Sequence, residues 1–309
     1  MQLNPTFINN VRDIYGATGI AWIDELPHLL ADLASKWNFE FLYPMPELTF
    51  NFVGAVKLQK PRTSGHATAV LKLSPPGGPV MNEIHWLKYF KSGVAEIYDD
   101  DEKLNAVLME HLVPGKPLKT LVQMGDDDGA TRVICHLIRQ MIRELQVKVE
   151  ESEKRFKHLS ELAYTLPLLR GHFDEKLLSK AESLFKVLTS DRKNDVLLHG
   201  DLHHDNILSS GPSWKVIDPH GYIGDPTMEV GTMTRNPYDC FPRDRPIVKV
   251  IERRLNILTE ELPFDPQKIR AWAFCVTVLA ASWSLEGHGK VHDLEKEVAF
   301  AVDAVSRRC

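Results

Sequence analysis

The sequence predicts an α+β fold in two lobes, a small N-terminal lobe built on an antiparallel sheet and a larger helical C-terminal lobe. Two neighbouring runs, "NFVGAVKLQK" and "HATAVLKLS", alternate apolar and polar residues, as antiparallel strands do. The pattern changes at "VPGKPL", where two prolines and a glycine interrupt it. Segments with helical spacing dominate from there on, so we assign the first lobe to residues 1–113 and the second to residues 114–309.

The first lobe is predicted to begin with a helix, because "WIDELPHLLADLASKW" repeats apolar residues at helical spacing. The two alternating runs follow as a pair of strands, with "PRTSG" as their turn. "PVMNEIHWLKYF" predicts another helix, and "VAEIY" and "NAVLMEHL" predict two further strands. The acidic "DDDEK" between those strands is typical of a solvated hairpin tip.

The second lobe contains several segments with a helical period, including "DEKLLSKAESLFKVL" and "PIVKVIERRLNILTEEL". The most apolar segment, Ala271 to Leu285, follows Asp265 as a predicted N-cap and Pro266 at the first helical position. Because it is shorter than the roughly 18 to 20 residues of a membrane span, it predicts a buried helix. In "TRVICHLIRQMIRELQVKV" one apolar stripe comprises Ile134, Ile138, Met141, Ile142 and Leu145.

The composition is that of an ordinary globular protein of 309 residues, 43% hydrophobic and 26% charged. A net charge of -5 argues against nucleic acid or an anionic membrane as a partner, since both favour a basic face. The N-terminus lacks a charged segment followed by an apolar stretch, so we expect a cytoplasmic protein without a signal peptide. We also expect free thiols, because the cysteines are scattered without a CxxC pair: Cys135, Cys240, Cys275 and Cys309.

The second lobe carries a polar motif, "HGDLHHDN", between two short apolar runs. Asp201 and Asn206 lie five residues apart in it, and Asp218 follows Asn206 by twelve residues, at the end of the strand-like "WKVID". Two acids and an amide on successive hairpins form an oxygen-rich set that suits Mg²⁺, which proteins hold with few carboxylates and substrate phosphates. Phosphoryl transfer needs such a metal, and also one metal-free carboxylate that accepts the proton of an attacking hydroxyl.

The motif "HGDLHHDN", followed by "VIDP", resembles the catalytic and metal-binding segments of the aminoglycoside phosphotransferases, relatives of the eukaryotic protein kinases. "WKVIDPHGYIGDP" and "LAASWSLEGHG" are similar to the branch that contains streptomycin 6-kinases and hydroxyurea phosphotransferases. The resemblance is strong over residues 196–235, fair over residues 272–289 and only architectural before them. It implies a bilobal protein-kinase-like fold, with a nucleotide-binding first lobe and with the catalytic and substrate site in the second.

Within the motif, the resemblance implies a role for each functional residue. Asp201 would be the catalytic base, Asn206 a magnesium ligand and Asp218 the main magnesium ligand. His203 stands where protein kinases carry a phosphate-contacting lysine, so we expect it at the γ-phosphate as an auxiliary catalytic residue. His199 and His204 are expected to be structural, and Asp205 is expected to face solvent or to hold the loop through backbone hydrogen bonds.

The first lobe is expected to hold the nucleotide, ATP or GTP. Lys72 in "AVLKL" matches the strand lysine that binds the α- and β-phosphates, and Glu83 in the following helix would be its ion-pair partner. "VLMEHLVPG" resembles the segment that joins the lobes, and its backbone at Glu110, His111 and Leu112 is expected to bind adenine. A GxGxxG loop is missing, and the candidate phosphate-covering turn is "LTFNFVG", with one glycine.

For the acceptor, the resemblance favours a small molecule of the streptomycin type. Carboxylates bind the guanidinium groups of such a cation bidentately. Glu229 could equally be structural and pair with Arg235. Four acids are candidates, and some of them are expected to face the acceptor: Asp225, Glu229, Asp239 and Glu286.

The predicted function is ATP- and Mg²⁺-dependent phosphorylation of a hydroxyl on a small molecule. Hydroxyurea, another sugar or amino alcohol, or an unrelated metabolite are alternative acceptors. A nucleotide-binding pseudokinase is a further alternative, although Lys72, Asp201 and both expected metal ligands are intact. A protein kinase is disfavoured because no Ala-Pro-Glu segment follows Asp218. A zinc or iron site is disfavoured because His203 and His204 are neighbours, and one face of a loop rarely presents both to one ion.

Overall fold

The computed structural model describes residues 3–62, 67–144, 155–241 and 244–307. The chain divides into two compact units, Met1–Gly115 and Lys116–Cys309. The first unit is built on an antiparallel sheet, and helices dominate the second. The predicted α+β fold is therefore confirmed.

The sheet of the first unit has five strands, and every neighbouring pair is antiparallel. Strands β2 and β3 are the pair predicted from the two alternating runs, and Val53 lies opposite Lys72 in their register. Most of the predicted turn "PRTSG" lies outside the described residues. The spatial order is β1-β2-β3-β5-β4. In chain order the strands are β1 (Phe39–Pro44), β2 (Phe52–Leu58), β3 (Thr68–Leu73), β4 (Ile97–Asp101) and β5 (Ala106–Glu110).

The prediction that the acidic run "DDDEK" forms a hairpin tip is right only for its last two residues, Glu102 and Lys103, which lie in the turn between β4 and β5. Its three aspartates lie in β4, an edge strand of the sheet. Charged side chains on an edge strand also oppose pairing with another chain. The basic partners of these aspartates come from three separate segments, so local sequence does not reveal them. Arg62 pairs with Asp99, Lys88 with Asp100 and Lys36 with Asp101.

Two helices accompany the sheet, Pro5–Trp37 before β1 and Val80–Leu87 between β3 and β4. The first begins well before the predicted segment, and its backbone is non-helical at Gly16, where φ is 58°. Glycine adopts this conformation without a Cβ clash, and the break interrupts the helical period of the sequence. Buried side chains of the long helix, including Phe7 and Leu33, share one core with the sheet.

In the second unit, the described residues form α-helices joined by short strands and turns. The predicted stripe lies on helix Asp127–Glu144, where Ile134, Ile138 and Met141 are buried and Ile142 is half-buried. Its last member, Leu145, lies outside the described residues. Short 3-10 helices cover Leu159–Leu169 and Pro226–Met228. The α-helices are Lys119–Gln123, Asp127–Glu144, Glu175–Leu188, Glu229–Arg235, Ile247–Glu261, Pro266–His288 and Asp293–Ser306.

The helix Pro266–His288 contains the apolar segment that was predicted to be buried, and most of its residues are buried. It begins as expected, since the side chain of Asp265 accepts a hydrogen bond from the N–H of Lys268 at 2.9 Å. Among the described residues, we find no helix whose length and hydropathy would let it span a bilayer. Three of the cysteines are free thiols, and the fourth, Cys309, lies outside the described residues.

Short strands in the second unit position the polar motif. Val196–Leu198 precedes the motif and pairs antiparallel with Tyr222–Gly224, which also pairs with Lys157–His158. Ile207–Ser210 follows the motif and forms a hairpin with Ser213–Val216. A further short strand, Pro114–Pro117, spans the boundary between the units. The motif is therefore fixed at both of its ends by strand pairing.

Arg254 is fully buried and connects three segments of the second unit. Its guanidinium forms an ion pair with Asp127, and it donates hydrogen bonds to the carbonyls of Met233 and Thr234 at 3.3 and 3.1 Å. The same group lies 4.7 Å from the ring centre of Phe241. Every charge in this network has a partner, as a buried ion pair requires.

Replacing Arg254 with leucine should destabilise the second unit by about 3–5 kcal/mol, because Asp127 would stay buried without a counter-charge. The neighbouring Arg253 is the matched control, since it pairs with Asp128 on the surface. Arg253→Gln should cause a much smaller change, because exposed ion pairs contribute little. Urea denaturation of the two variants measures both losses, and losses of equal size would contradict this account of the buried network.

Candidate active site

The catalytic loop, residues 199–206, occupies the position between strand Val196–Leu198 and the following hairpin. Asp218 follows the hairpin, and the chain then returns alongside the start of the loop. The N–H groups of His220 and Gly221 donate to the carbonyl of His199 at 2.9 and 3.1 Å. Hydrogen bonds between backbone groups therefore hold the segment around Asp218 against the catalytic loop.

Gly200 allows the backbone to pass through this tight arrangement. Its φ is +80°, and a Cβ at this position would lie 2.6 Å from the ring of Tyr222. An L-residue with a side chain would therefore be strained and would displace the aromatic ring. The glycine of "HGD" is required for the close approach of the loop to the strand Tyr222–Gly224.

The carboxylate of Asp201 lies among polar side chains of the loop. The amide nitrogen of Asn206 donates to the backbone carbonyl of Asp201 at 3.0 Å and to its carboxylate at 3.2 Å. His203 Nε2 lies 3.4 Å and His220 Nε2 lies 3.8 Å from the same carboxylate oxygen. The structure thus brings together Asp201, Asn206 and His203, as the sequence motif indicated.

Burial raises the pKa of Asp201, but nearby groups outweigh burial and bring the pKa down to about 2. These groups are the hydrogen-bonded His203 and the charges of His203, His220 and Arg235. The carboxylate is therefore ionised at neutral pH, which is the state that a general base needs.

His199 is fully buried, and each of its ring nitrogens has a hydrogen-bond partner. Nδ1 accepts from the N–H of Asp201 at 3.2 Å, and Nε2 lies 2.9 Å from the carbonyl of Ile217, to which it must donate. Burial lowers the pKa of His199 to about 4, so the ring is neutral at pH 7. A neutral ring in one tautomer makes both bonds, which fits the structural role expected for His199.

Glu229 lies beneath the catalytic loop at the start of helix Glu229–Arg235 and is 3% exposed. Its carboxylate accepts hydrogen bonds from the N–H groups of His199 and Gly200, the latter at 3.3 Å. Burial raises the pKa of Glu229 to about 7, against the opposing effect of these two bonds. The partner of Glu229 is thus the loop backbone rather than Arg235 or an acceptor, and its burial argues against the expected substrate role.

The remaining ionisable residues of the motif lie in two different environments. His204 is fully buried, and neither of its ring nitrogens has a hydrogen-bond partner among the described residues. Asp205 is more exposed and pairs with Lys119 at 2.7 Å. Lys119 also lies 3.3 Å from Asp239. The carboxylate of Asp205 also lies 3.7 Å from His203 Nδ1, and these two basic partners agree with a role in holding the loop.

Asn206 and Asp218 offer the donors that a magnesium ion prefers. The amide nitrogen of Asn206 is directed to Asp201, which leaves its oxygen as the acceptor of that side chain. Asp218 has a left-handed backbone with φ of 61°, a conformation that an aspartate tolerates better than most residues. A carboxylate and an amide oxygen fit Mg²⁺ when phosphates and water complete the coordination.

The acids expected to bind the acceptor lie in contrasting positions. Asp225, like Glu229, is buried, where its carboxylate accepts from the N–H of Thr227 at 2.9 Å and pairs with Lys268. These partners argue against a contact between Asp225 and a substrate. Asp239 and Glu286 are exposed, so both carboxylates are accessible.

The first unit contains the expected ion pair between Lys72 and Glu83. The two side chains are buried, with 2.6 Å between Nζ and the carboxylate. Lys72 lies on β3 and Glu83 on the helix Val80–Leu87, so strand and helix together fix the ammonium group. The ion pair is the one that was expected, and binding of phosphate by Lys72 stays a prediction.

The segment expected to bind adenine follows β5. The N–H of Glu110 donates to the carbonyl of Glu96 at 2.8 Å, so this donor is not available to a base. The ring of His111 lies 3.0 Å from the hydroxyl of Thr68, and Leu112 is buried. The strand pairing thus uses the N–H of Glu110, and the expected contact of the backbone at Glu110, His111 and Leu112 with adenine stays a prediction.

The candidate phosphate-covering turn, "LTFNFVG", leads into β2. Side chains at the N-terminus of the chain anchor it, since Asn4 donates to the carbonyl of Leu48 at 3.2 Å and Asn10 to that of Thr49 at 3.1 Å. Its glycine, Gly54, packs against Phe41, whose ring would lie 2.6 Å from an added Cβ. The glycine is therefore explained by packing within the sheet.

Comparison with known families identifies the family of this chain. A family model described as "Aminoglycoside/hydroxyurea antibiotic resistance kinase" matches residues 53–287. The chain belongs to this family. The kinase is therefore a phosphotransferase with an alcohol group as acceptor, and the expected relationship to the aminoglycoside phosphotransferases is confirmed.

Individual relatives support the same assignment. The kinase is similar to a streptomycin 6-kinase of Streptomyces glaucescens, at 29% identity over 88% of this chain and 87% of the relative. It is also similar to a streptomycin 3''-kinase of Klebsiella pneumoniae, at 31% identity over 66% of this chain and 75% of the relative.

Solved structures share the fold of the kinase. An aminoglycoside phosphotransferase in ternary complex with ADP and hygromycin B aligns with a TM-score of 0.57 at 14% identity, over 90% of this chain and 97% of that chain. A choline/ethanolamine kinase family protein from Mesorhizobium loti aligns with a TM-score of 0.59 at 12% identity, over 91% and 94% of the two chains.

Sequence reasoning missed the contacts of two basic residues near the catalytic loop of the kinase, since it did not name Lys119 and considered Arg235 only as a partner of Glu229. Lys119 contacts Asp205 from 86 positions earlier in the chain, and Arg235 is close enough to lower the pKa of Asp201. Both lie outside the motif, and nothing in their local sequence marks them. Glu229 had a visible signal, since it follows "GDPTM" at the start of a helix, but its partner is 30 positions away.

Two buried titratable groups, His199 in the loop and Glu229 beneath it, should give opposite pH dependences of stability. His199 has a pKa lowered from 6.5 to about 4, so its contribution is present above pH 6.5 and is lost as the pH falls towards 4. Glu229 has a pKa raised from 4.5 to about 7, so its contribution is present below pH 4.5 and is lost as the pH rises through 7.

Glutamine variants of the two residues separate these contributions. For His199→Gln, the quantity to follow is the free energy of unfolding of the wild type minus that of the variant. This difference should fall by about 2 kcal/mol from pH 7 to pH 5, because most of that interval lies between the two pKa values of His199. The same difference for Glu229→Gln should rise by about 2 kcal/mol over that interval. Urea denaturation at both pH values tests this, and a difference that does not change with pH would refute the assignment for that residue.

Proposed function

We propose that the chain transfers the γ-phosphoryl group of ATP to a hydroxyl of a streptomycin-like aminoglycoside, with Mg²⁺. The observation that carries this proposal is the constellation of Asp201, Asn206 and Asp218 on two backbone-linked loops of a chain in this kinase family. The curated relatives named above are streptomycin kinases, which supports an acceptor of that type.

Asp201 is the proposed general base. Its carboxylate is ionised and half-buried, and the amide of Asn206 holds it in place. It would orient the acceptor hydroxyl towards the γ-phosphorus and accept its proton during transfer. Catalysis of this kind rests on positioning and electrostatics rather than on a covalent enzyme intermediate.

Asn206 and Asp218 would hold the metal through oxygen atoms. When bound, Mg²⁺ neutralises negative charge on the triphosphate. The hydrogen bonds between the loops of Asp201 and Asp218 would keep the base and the metal ligands in register. Asp201 itself is engaged by Asn206 and lies next to His203 and His220, which favours a role apart from the metal.

Lys72 would bind the α- and β-phosphates, and Glu83 would orient it. Both groups are buried and in contact, so the ammonium is fixed before ATP arrives. For the acceptor, the accessible carboxylates of Asp239 and Glu286 are the remaining candidates for contact with guanidinium groups.

A screen for phosphorylated products tests the proposed function. Purified protein with ATP and Mg²⁺ should consume ATP when streptomycin is added, and mass spectrometry should detect streptomycin carrying one phosphate. Hydroxyurea, other aminoglycosides and common metabolites are the comparison acceptors. Product formation only with hydroxyurea or with a metabolite would overturn the aminoglycoside assignment and keep the phosphotransferase.

Two aspartates of the motif should differ sharply in their effect on catalysis. Asp201→Ala should nearly abolish transfer, leaving a residual rate about 10²- to 10⁴-fold below that of the wild type. ATP should bind nearly as before, because the base does not hold the nucleotide. Asp205→Ala should retain activity within about tenfold, a barrier change of roughly 1.4 kcal/mol or less, since its carboxylate pairs with Lys119. Measurements of kcat and ATP affinity for both variants show which aspartate is the general base. An inactive Asp205→Ala with an active Asp201→Ala would reverse the assignment.

Lys72→Ala should raise KM for ATP and lower kcat together, because the phosphates lose a cation in both the ground state and the transition state. Lys57 offers a matched control, since it is a lysine on the neighbouring strand β2 with an exposed side chain. Lys57→Ala should change neither constant. Steady-state kinetics with varied ATP give both values, and unchanged constants in Lys72→Ala would show that another group binds the phosphates.

A further inference from the structure

Arg235 is the last residue of helix Glu229–Arg235, and its guanidinium has an unusual environment. The side chain is half-buried, and its Nε is shielded from solvent without a hydrogen-bond partner. Within the described part of the chain, we find no hydrogen bond or ion pair that engages this side chain. A guanidinium withdrawn from water without such a partner is energetically unfavourable.

Arg254 shows how the same unit accommodates a structural arginine. Its guanidinium is fully buried, and it is neutralised by Asp127 and hydrogen-bonded to carbonyls of the chain. Arg235 has neither kind of partner, although it directly follows Met233 and Thr234, whose carbonyls accept hydrogen bonds from Arg254. This contrast indicates that Arg235 is not retained for packing alone.

The charged groups near Arg235 do not neutralise it through direct contact. Asp201 and Glu295 are the acids that act on its charge, and Arg235 in turn helps to lower the pKa of Asp201. The carboxylate of Glu295 is already engaged, since it accepts hydrogen bonds from the hydroxyl of Ser284 and from the N–H of His292. The cation is therefore close enough to the proposed base to act on its charge, and its shielded Nε has no hydrogen-bond partner among the described residues.

We propose that Arg235 is an oxyanion-binding residue of the acceptor side of the site. Two groups could supply the oxyanion, the phosphoryl group in transfer or an acidic substituent of the acceptor. A guanidinium presents a planar fork of N–H donors that matches the oxygens of phosphate and carboxylate. This inference rests on the proposed phosphotransferase function and adds a residue that its motif does not contain.

For the phosphoryl group, the chemistry balances without a further reactant. The acceptor oxygen forms a bond to the γ-phosphorus while the bond from that phosphorus to the bridging oxygen of ADP breaks. The hydroxyl proton passes to Asp201, and ADP leaves with the bridging oxygen. Arg235 would donate hydrogen bonds to non-bridging oxygens of the transferred group and would neither gain nor lose a proton.

The test compares Arg235→Gln and Arg235→Lys with the control Arg270→Gln. Arg270 is also half-buried and also has an Nε without a partner, but it lies on helix Pro266–His288 and donates to the carbonyl of Pro266 at 3.1 Å. Each variant is examined for kcat, for KM and for its affinity for inorganic phosphate by calorimetry. Thermal melting of each variant verifies that it is folded.

If Arg235 contacts the transferred phosphoryl, Arg235→Gln should lower kcat by about 10² or more with streptomycin and with hydroxyurea alike. KM for ATP should change little, phosphate should bind more weakly, and Arg235→Lys should recover part of the rate. If Arg235 contacts an acid group of the acceptor, only acceptors that carry a carboxylate or phosphate should lose affinity. Arg270→Gln should match the wild type in all these measurements.

Wild-type kcat, KM and phosphate affinity in both folded Arg235 variants would overturn the inference. The phosphate titration separates this failure from failure of the proposed function, because it needs no acceptor. A wild type that phosphorylates none of the acceptors but binds phosphate through Arg235 would reject the aminoglycoside assignment and keep the oxyanion site. If Arg235→Gln does not fold, Arg235→Lys still tests the role, since it retains the charge and removes the fork.

Discussion

The carboxylate of Glu229 is the interaction on which the catalytic loop depends. It is buried beneath the loop and accepts hydrogen bonds from two consecutive N–H groups, those of His199 and Gly200. These bonds fix the backbone immediately before Asp201. The loop N–H groups would otherwise be buried without acceptors, and the carboxylate would be buried without donors, so each side requires the other.

Further hydrogen bonds connect the rest of the site to the loop backbone that Glu229 holds. His199 accepts from the N–H of Asp201 and lies next to the carbonyl of Ile217, which directly precedes Asp218. Asn206 closes the other end of the loop by donating to Asp201. The proposed base and both proposed metal ligands thus belong to one network, so a change at one buried member should affect the position of the others.

Charge completes the arrangement around Asp201. His203, His220 and Arg235 together lower its pKa despite its burial. Such an environment keeps the carboxylate ionised, and the positive charge of Arg235 would also favour an incoming triphosphate. The acids expected to attract a cationic acceptor contribute less than the sequence indicated, because Asp225 and Glu229 have partners inside the unit.

Local patterns in the sequence were enough to predict the strands β2 and β3, the buried helix Pro266–His288 and the spacing of Asp201, Asn206 and Asp218, since each depends on neighbouring residues. Contacts between distant positions were not predictable in this way. Arg254 and Asp127 are separated by 127 positions, and their pairing appears only in the fold. The same limit explains why the three aspartates of β4 were predicted to lie in the hairpin tip, since their basic partners come from distant segments.

A double-mutant cycle in single-turnover phosphoryl transfer tests the central claim most directly, namely that Glu229 acts on catalysis by positioning Asp201. Glu229→Gln should slow transfer in the wild-type background by at least tenfold, about 1.4 kcal/mol in the barrier. In the Asp201→Ala background the same change should have almost no effect on the residual rate, because the group it positions is gone. An equal loss in both backgrounds would contradict the account, since Glu229 would then act independently of Asp201.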